Sequence, residues 1–275
     1  MEIIRGGWHL IKGEHVAKKE VFPNPTVQEV IFQIRFPNLF FLPDKIGDFQ
    51  VKIMKDFPES KMLVRRTFVF AQGEKEKLKA GLPDSEGEPV TKVWQFSSPA
   101  GVELQITASS LSLVSKGHKT YAVGGDQQFR PVIASVTAEF LKLTGVPVLS
   151  RVGLRYRDEP PVPKRSAVHY SNFYKTALPV KRFPLEHSDE LSVTVVSHRK
   201  DCRLRYIESL TFQGDQPKLI LDFDAWADNV ESDKLMEVTD NLHDVISAEF
   251  FGMIKEPVLK HMRRPKEAAH AGTRG

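Results

Sequence analysis

An internal echo at a spacing of 110 residues is the feature of this chain that most constrains its fold. Residues 130–147 read RPVIASVTAEFLKLTGVP and residues 240–257 read DNLHDVISAEFFGMIKEP, so Ala-Glu-Phe and the closing proline fall in register. Val132 matches Leu242 in the same alignment. Self-similarity at a fixed spacing is the sequence signature of a repeated structural unit. We therefore predict two similar halves, each ending in a long helix.

The remaining apolar patterns extend the echo to strands. Each half is predicted to be a β-α-β-β-β-α unit, which gives an α+β protein with two pseudo-repeats forming a largely antiparallel sheet packed by helices. We place an N-terminal arm at 1–22, the first half at 23–149, the second half at 150–259 and a disordered basic tail at 260–275. We expect the two halves to share one core.

The first half begins with the clearest strand pattern of the chain. VQEVIFQIRF at 27–36 alternates with the period of two that is typical of a half-buried strand. A helix is predicted between Pro43 and Pro58, because apolar residues recur there at spacings of three and four. Gly145 is placed to end the first echo helix. The other predicted elements are strands at 64–70, 93–96, 102–106 and 111–113, with a solvated loop at 71–89.

The second half repeats this plan with weaker signals. Strands are predicted at 151–157 and 191–196, and a hairpin of 202–210 with 218–225 is predicted around Gly214-Asp215. A short helix is predicted at 170–178. Ser232 is predicted to cap the second echo helix, whose apolar stripe includes Leu235 and Leu242.

Composition excludes several classes of protein. With 275 residues, 41% hydrophobic and 27% charged, the chain is typical of a globular protein. No apolar run reaches the roughly 20 residues of a membrane-spanning helix, and the N-terminus lacks the pattern of a secretory signal. We therefore expect a cytoplasmic protein with no membrane association. The single Cys202 excludes an internal disulfide and a cysteine-rich zinc site.

Positive charge is concentrated in the middle of the chain, although the net charge is only +4. A solvated linker region and a basic binding face both account for this pattern, and the linker is the simpler interpretation. A basic face would suit nucleic acid. Its candidate binding residues are Arg151, Arg155, Tyr156, Arg157, Arg203 and Arg205.

Arg35 and Arg155 occupy corresponding places in the two halves, in Ile-Arg-Phe and Leu-Arg-Tyr segments. In a pseudo-symmetric fold, these two arginines could converge on one anion or acidic partner, because guanidinium groups suit bidentate contact with phosphate or carboxylate. Local pairing with Glu29 or Asp158 is the simpler alternative.

Asp222 and Asp224 lie on one face of the predicted strand LILDFDAW. Two carboxylates on one face suit Mg²⁺ binding or acid and base chemistry. The hairpin around Gly214-Asp215 would place Arg205 opposite Asp224, and a cross-strand ion pair is then the simpler interpretation. No complete set of zinc ligands, no nucleotide-binding loop and no hydrolase motif is present, so we predict no cofactor and no catalytic residue.

Four segments resemble a known family, namely Asn-Pro-Thr at 24–26, Gly-Leu-Arg-Tyr at 153–156, Asp-Phe-Asp at 222–224 and Leu-His at 242–243. They are similar to a sporadically distributed bacterial family of uncharacterised proteins of about 260 residues. That family usually has Asn-Pro-Pro where this chain has Thr26, and it usually continues differently where this chain has Arg157 and Asp158. The resemblance implies no activity. Scattered distribution implies a mobile or accessory gene, including a role in phage defence.

Three functions follow as expectations. The leading one is a non-enzymatic interaction or regulatory accessory protein that binds a protein partner, because the scaffold carries no complete catalytic set. The second is a nucleic-acid-binding accessory protein that uses the basic middle region and exposed aromatic residues, namely Tyr156, Tyr170, Phe173 and Tyr174. The third is a metal-dependent hydrolase or nuclease at Asp222 and Asp224.

Overall fold

The computed structural model describes residues 20–66, 90–122, 128–162, 164–214 and 216–265. In these ranges, nine strands form one sheet and five α-helices accompany it. The strands are β1 (Val27–Arg35), β2 (Glu59–Arg66), β3 (Val90–Ser97), β4 (Val102–Thr107), β5 (Ser110–Ser115), β6 (Val148–Asp158), β7 (Glu190–His198), β8 (Arg203–Gln213) and β9 (Gln216–Glu231). The helices are α1 (Leu42–Ile53), α2 (Phe129–Thr144), α3 (Ala167–Phe173), α4 (Leu235–Met253) and α5 (Glu256–Arg263).

Every strand pair in the sheet is antiparallel, and the spatial order is β2-β3-β4-β5-β1-β6-β9-β8-β7. The α+β class with a large antiparallel sheet is therefore confirmed. The first strand of each predicted half, β1 or β6, lies at the centre, and the two pair with each other. Antiparallel sheets of this kind can cover one face with helices and leave the other face to solvent.

The element order differs between the two predicted halves. From β6 to α4 it follows the predicted plan of one strand, one helix, three strands and one helix. From β1 to α2 there is one strand more, because β2 extends the sheet at its outer edge. Outward from the centre, β5-β4-β3 follow β1, and β9-β8-β7 follow β6. The buried apolar side chains of both halves belong to one cluster.

The helices lie on one face of the sheet because that face is apolar. Val30, Phe32 and Ile34 of β1 are buried there at alternate positions. The ring of Phe49 in α1 meets the rings of Phe96 and Phe140 at centroid distances of 6.4 and 5.8 Å. Burying each such side chain contributes about 1.5–3 kcal/mol, so this interlayer packing holds the helices to the sheet.

Two predictions from local sequence signals, a helix end and a hairpin, are confirmed. Gly145 ends α2 with a left-handed φ of 64°, and its N–H donates to the Leu141 carbonyl at 2.8 Å. A left-handed residue at this position is the usual end of a helix, and glycine adopts it without steric cost. The hairpin of β8 and β9 is also confirmed, with Gln213 paired to Gln216. Gly214 has a φ of 61° in this turn, while Asp215 lies outside the described residues.

Several predicted boundaries were wrong. Strand β2 begins at Glu59 rather than at 64, and the short helix α3 occupies Ala167–Phe173 rather than 170–178. The Ser232 hydroxyl caps no helix, because it donates to the Val146 carbonyl at 2.6 Å. The first residues of the predicted disordered tail belong to α5, which is held by the buried side chain of Met262.

The predictions for the N-terminal arm up to residue 19, the strand beyond Arg66, the loop at 71–89 and the tail beyond residue 265 lie outside the described residues. None of the helices in the described part of the chain is long and apolar enough to cross a membrane.

Candidate functional site

The sheet face opposite the helices, called the open face below, carries the polar residues of the strands. Strand residues alternate between the two faces, so the odd-numbered residues from Glu29 to Arg35 in β1 and from Arg151 to Arg157 in β6 point to the open face. One row of neighbouring residues crosses all nine strands on this face. Its members, from β2 to β7, are Lys61, Gln95, Gln105, Ser112, Gln33, Gly153, Trp226, Arg203 and His198.

A second row on the open face has most of its charged residues on one side of the centre of the sheet. From β2 to β7 it runs through Glu59, Ser97, Glu103, Val114, Ile31, Arg155, Asp224, Arg205 and Val196. Arginines and aspartates are thus concentrated on β6, β8 and β9. The basic middle region of the sequence becomes one half of a sheet face, and the interpretation as a linker is wrong for these strands.

An ion-pair network ties β6, β8 and β9 together. Arg155 donates two hydrogen bonds to Asp222, one of them from Nε at 2.7 Å. Asp224 lies 3.4 Å from the Arg151 guanidinium and 3.5 Å from that of Arg205, which stands directly opposite it on β8. The predicted cross-strand pair of Arg205 and Asp224 is therefore confirmed. The hydrogen bonds that Arg155 donates to Asp222 raise the pKa of Arg155, so its guanidinium stays charged.

Three arginines of the open face point outward without a carboxylate partner. The Nε atom of Arg35 donates to the amide oxygen of Gln33 at 2.9 Å. Arg157 and Arg203 are exposed and make no ion pair with any residue that the structure describes. These three arginine side chains remain available to an external partner.

The two arginines that we expected to converge do not meet. Arg35 faces Arg151 across the central strand pair, whereas Arg155 faces Ile31. Their positions therefore differ by four residues along antiparallel strands, which is about 13 Å. Arg155 also reaches away from Arg35 toward Asp222. The expectation of one anion held by both arginines is wrong, because the register of β1 with β6 separates them.

The aromatic residues proposed for base stacking are mostly internal. Tyr156 points to the helix-covered face, opposite to its neighbours Arg155 and Arg157, because successive strand residues alternate. Tyr170 is fully buried, and its hydroxyl donates to the buried carboxylate of Glu208 at 2.7 Å. Tyr174 is also buried, and Phe173 packs partly against the core. Their predicted role as exposed stacking surfaces is wrong for Tyr170 and Tyr174.

Asp222 and Asp224 share the open face, as predicted, but their oxygens are used by arginines. Arg155 holds Asp222, and Arg151 and Arg205 flank Asp224. Within the described ranges, no group of three or more His, Cys, Asp or Glu side chains is arranged to hold a metal ion. Guanidinium groups at these distances occupy the positions that a cation would need, so the arrangement is a set of cross-strand ion pairs.

A cavity lies on the other side of the sheet, between the start of α2, α4 and strand β6. Its volume is about 470 Å³, a size that suits a small organic molecule. One wall is the imidazole of His243 stacked on the ring of Tyr121, with centroids 4.2 Å apart and planes 11° from parallel. Phe22 and Phe251 face the cavity as a second aromatic pair, 6.1 Å apart.

The rim and floor of the cavity are polar. At the rim, Arg130 makes two hydrogen bonds to Asp240, at 2.7 and 2.8 Å, and the Tyr121 hydroxyl donates to the same carboxylate at 2.7 Å. These hydrogen bonds, with the one from Arg130 as the largest contribution, lower the pKa of Asp240. Burial lowers the pKa of His243, so its imidazole is mainly neutral at pH 7. The Tyr156 hydroxyl is buried and finds no hydrogen-bond partner among the described residues.

Asp158 lies at the floor of the same cavity and is the most perturbed carboxyl of the described chain. It is 3% exposed, and burial raises its pKa to about 7 from 3.8. The hydroxyl of Thr26 donates to Asp158 at 2.7 Å and, together with the charge of Lys119, partly opposes this rise in pKa. A carboxyl that titrates near neutrality beside a cavity is a recognised mark of a functional site.

Sequence reasoning missed this cavity, although one signal pointed to it. Three of the four segments that carry the resemblance meet here, through Pro25, Tyr156 and His243, whereas residues 222–224 do not line the cavity. Tyr121 and Asp240 had no motif to single them out, and only the packing of α4 against residues 119–122 brings them together. The sequence could not predict the cavity, because its lining residues come from four distant parts of the chain.

Comparisons with known proteins add no relative to this description. No family model matches the chain, and no curated protein matches it either.

Proposed function

We propose that this protein is a non-enzymatic interaction or regulatory accessory protein that binds a protein partner on the open face of its sheet. The observation that carries the proposal is a broad sheet face with the described helices packed on its other side and with Arg35, Arg157 and Arg203 pointing outward. Arginine is enriched in protein interfaces, where its planar guanidinium makes several hydrogen bonds at once.

A protein partner fits this face better than nucleic acid does. Four carboxylates stand among the arginines, namely Glu29, Asp222, Asp224 and Asp228, and they would repel a phosphate backbone. Alternating charge suits a protein surface with complementary charges, which fixes the orientation of the partner. The loss of Tyr170 and Tyr174 to the core removes two of the stacking groups on which the nucleic-acid alternative depended.

The test reverses the charge of two of these three arginines, Arg157 and Arg203. Proteins that co-purify with the full chain from its native cells are identified, and the affinity of each purified candidate is then measured. We expect Arg157→Glu with Arg203→Glu to weaken binding of the true partner at least tenfold and to reduce its salt dependence. Lys52→Glu with Lys55→Glu in and after α1 is the matched control, since these exposed lysines lie on the helix side.

Three results would overturn the proposal. One is a partner whose affinity is unaffected by the open-face variant but reduced by the α1 control. Another is salt-sensitive binding of DNA or RNA that is lost in the open-face variant, which would establish the second function. Metal-dependent turnover that disappears in Asp222→Ala with Asp224→Ala would establish the third.

We also propose that the two halves derive from one duplicated unit and that the chain belongs to the family it resembles, with its accessory or phage-defence role. Support for the duplication comes from the matching strand order on the two sides of β1 and β6. An experimental structure in which 23–149 and 150–259 fail to superpose over four strands and the long helix would contradict it.

A further inference from the structure

We propose that the cavity beside α4 binds an uncharged, planar nitrogen heterocycle of nucleobase or nucleoside size. The site lies on the helix side of the sheet, so it is separate from the open face and does not depend on the function proposed for that face. The argument rests on the walls of the cavity, its charge and its volume.

The aromatic walls favour a flat ring. His243 and Tyr121 already stack in parallel in the lining, and Phe22 with Phe251 forms a second aromatic surface of the lining. Phe251 is 38% exposed, which leaves its ring available to a ligand. A heteroaromatic ring placed against such surfaces gains stacking contacts that an aliphatic ligand cannot make.

The polar groups favour hydrogen bonding over charge neutralisation. Arg130 is already paired with Asp240, and Lys119 donates to the Val27 carbonyl at 2.7 Å. Asp244 and Asp158 add acidic groups at the lining, so the described lining residues offer no excess of positive charge for a phosphate. A neutral ring with nitrogen and carbonyl edges matches this mixture of donors and acceptors.

The Tyr156 hydroxyl supplies a further reason for a hydrogen-bonding occupant. It is buried beside the cavity with no partner among the described residues, and such a group costs about 1–3 kcal/mol. A ligand atom that settles at the floor can provide the missing hydrogen bond after a small shift of the neighbouring side chains.

The experiment titrates the full chain with adenosine, guanosine, cytidine and uridine by calorimetry, with adenosine monophosphate as the charged counterpart of adenosine. We expect at least one nucleoside to bind with a dissociation constant below 1 mM, about −4 kcal/mol, and adenosine monophosphate to bind no more tightly than adenosine. His243→Ala is expected to weaken binding about tenfold, the usual cost of losing one stacking partner.

Two serine variants show whether binding occurs in this cavity. Ser247 lies on α4 at the cavity, and Ser247→Trp should fill the space and abolish binding. Ser135→Trp places the same side chain on the exposed surface of α2 and should leave affinity unchanged. Thermal unfolding of each variant establishes that it is folded.

The proposal is overturned if none of the four nucleosides binds at 5 mM. It also fails if Ser247→Trp binds as tightly as the parent protein, or if the monophosphate binds more tightly than adenosine.

Discussion

Asp158 offers the sharpest quantitative test of the structure. Its pKa is about 7 in the folded protein and 3.8 in the unfolded chain, because the folded protein buries the carboxyl. A raised pKa means that the folded state binds the proton more tightly, so the contribution of Asp158 to stability is greatest below pH 3.8 and is lost as pH rises through about 7. At about 1.36 kcal/mol per pKa unit, the ionised carboxyl costs about 4 kcal/mol of stability above pH 8.

Replacing Asp158 by asparagine removes this titration and keeps an oxygen that can accept the hydrogen bond from Thr26. The free energy of unfolding of Asp158→Asn minus that of the parent protein should therefore increase by about 2.5 kcal/mol between pH 5 and pH 8. Urea unfolding at pH 5, 6, 7 and 8 measures this difference, in which the contributions of other titrating groups cancel.

Asp56→Asn is the matched control, since Asp56 is exposed just beyond the end of α1 and its replacement leaves Asp158 in place, so it should not reproduce the result of Asp158→Asn. A flat difference for Asp158→Asn over the same range would refute the reasoning. It would mean that water reaches the carboxyl in the folded protein or that a nearby positive charge compensates it.

Two further predictions concern single sites whose surroundings are well defined. Glu208 is fully buried and accepts hydrogen bonds from a backbone N–H and from three hydroxyls, those of Tyr170, Tyr206 and Thr176. Glu208→Gln turns an amide donor toward these donors, so it should lower the free energy of unfolding in urea by about 2–4 kcal/mol. A loss below 0.5 kcal/mol would contradict this prediction. Gly145→Ala should destabilise the protein by about 1 kcal/mol, because the backbone φ at Gly145 is 64°. Gly47→Ala inside α1 should instead stabilise the protein by about 0.5–1 kcal/mol, because nothing lies within 4 Å of the added methyl group. Thermal unfolding that shows a change of the same sign for both variants would refute the argument.

The sequence was sufficient to predict the elements that one local signal determines. The alternation in residues 27–36 predicted β1, and Gly145 marked the end of α2. Strand β2 began earlier than predicted because Glu59, Ser60 and Lys61 carry no apolar alternation and are held in the sheet by pairing with β3. Pairing is a tertiary contact, and no pattern within the segment itself reports it.

The candidate site was less predictable, because it depends on strand register. Arg35 and Arg155 have corresponding places in the sequence. Gln33 pairs with Gly153, however, so Arg35 and Arg155 lie on opposite sides of this residue pair along the strand direction. A shift of one residue would have exchanged the faces of the entire strand. Sequence similarity between the halves does not determine the register of β1 with β6. The sequence therefore could not predict which arginines are neighbours.

Residues at equivalent positions do meet, but on the helices. Arg130 and Asp240 open the two echo segments, and they form the ion pair at the rim of the cavity. Strand β6 connects this cavity with the open face, because Arg155 and Arg157 point to the open face while Tyr156 and Asp158 line the cavity. A partner on one side and a small molecule on the other would therefore contact alternate residues of the same strand.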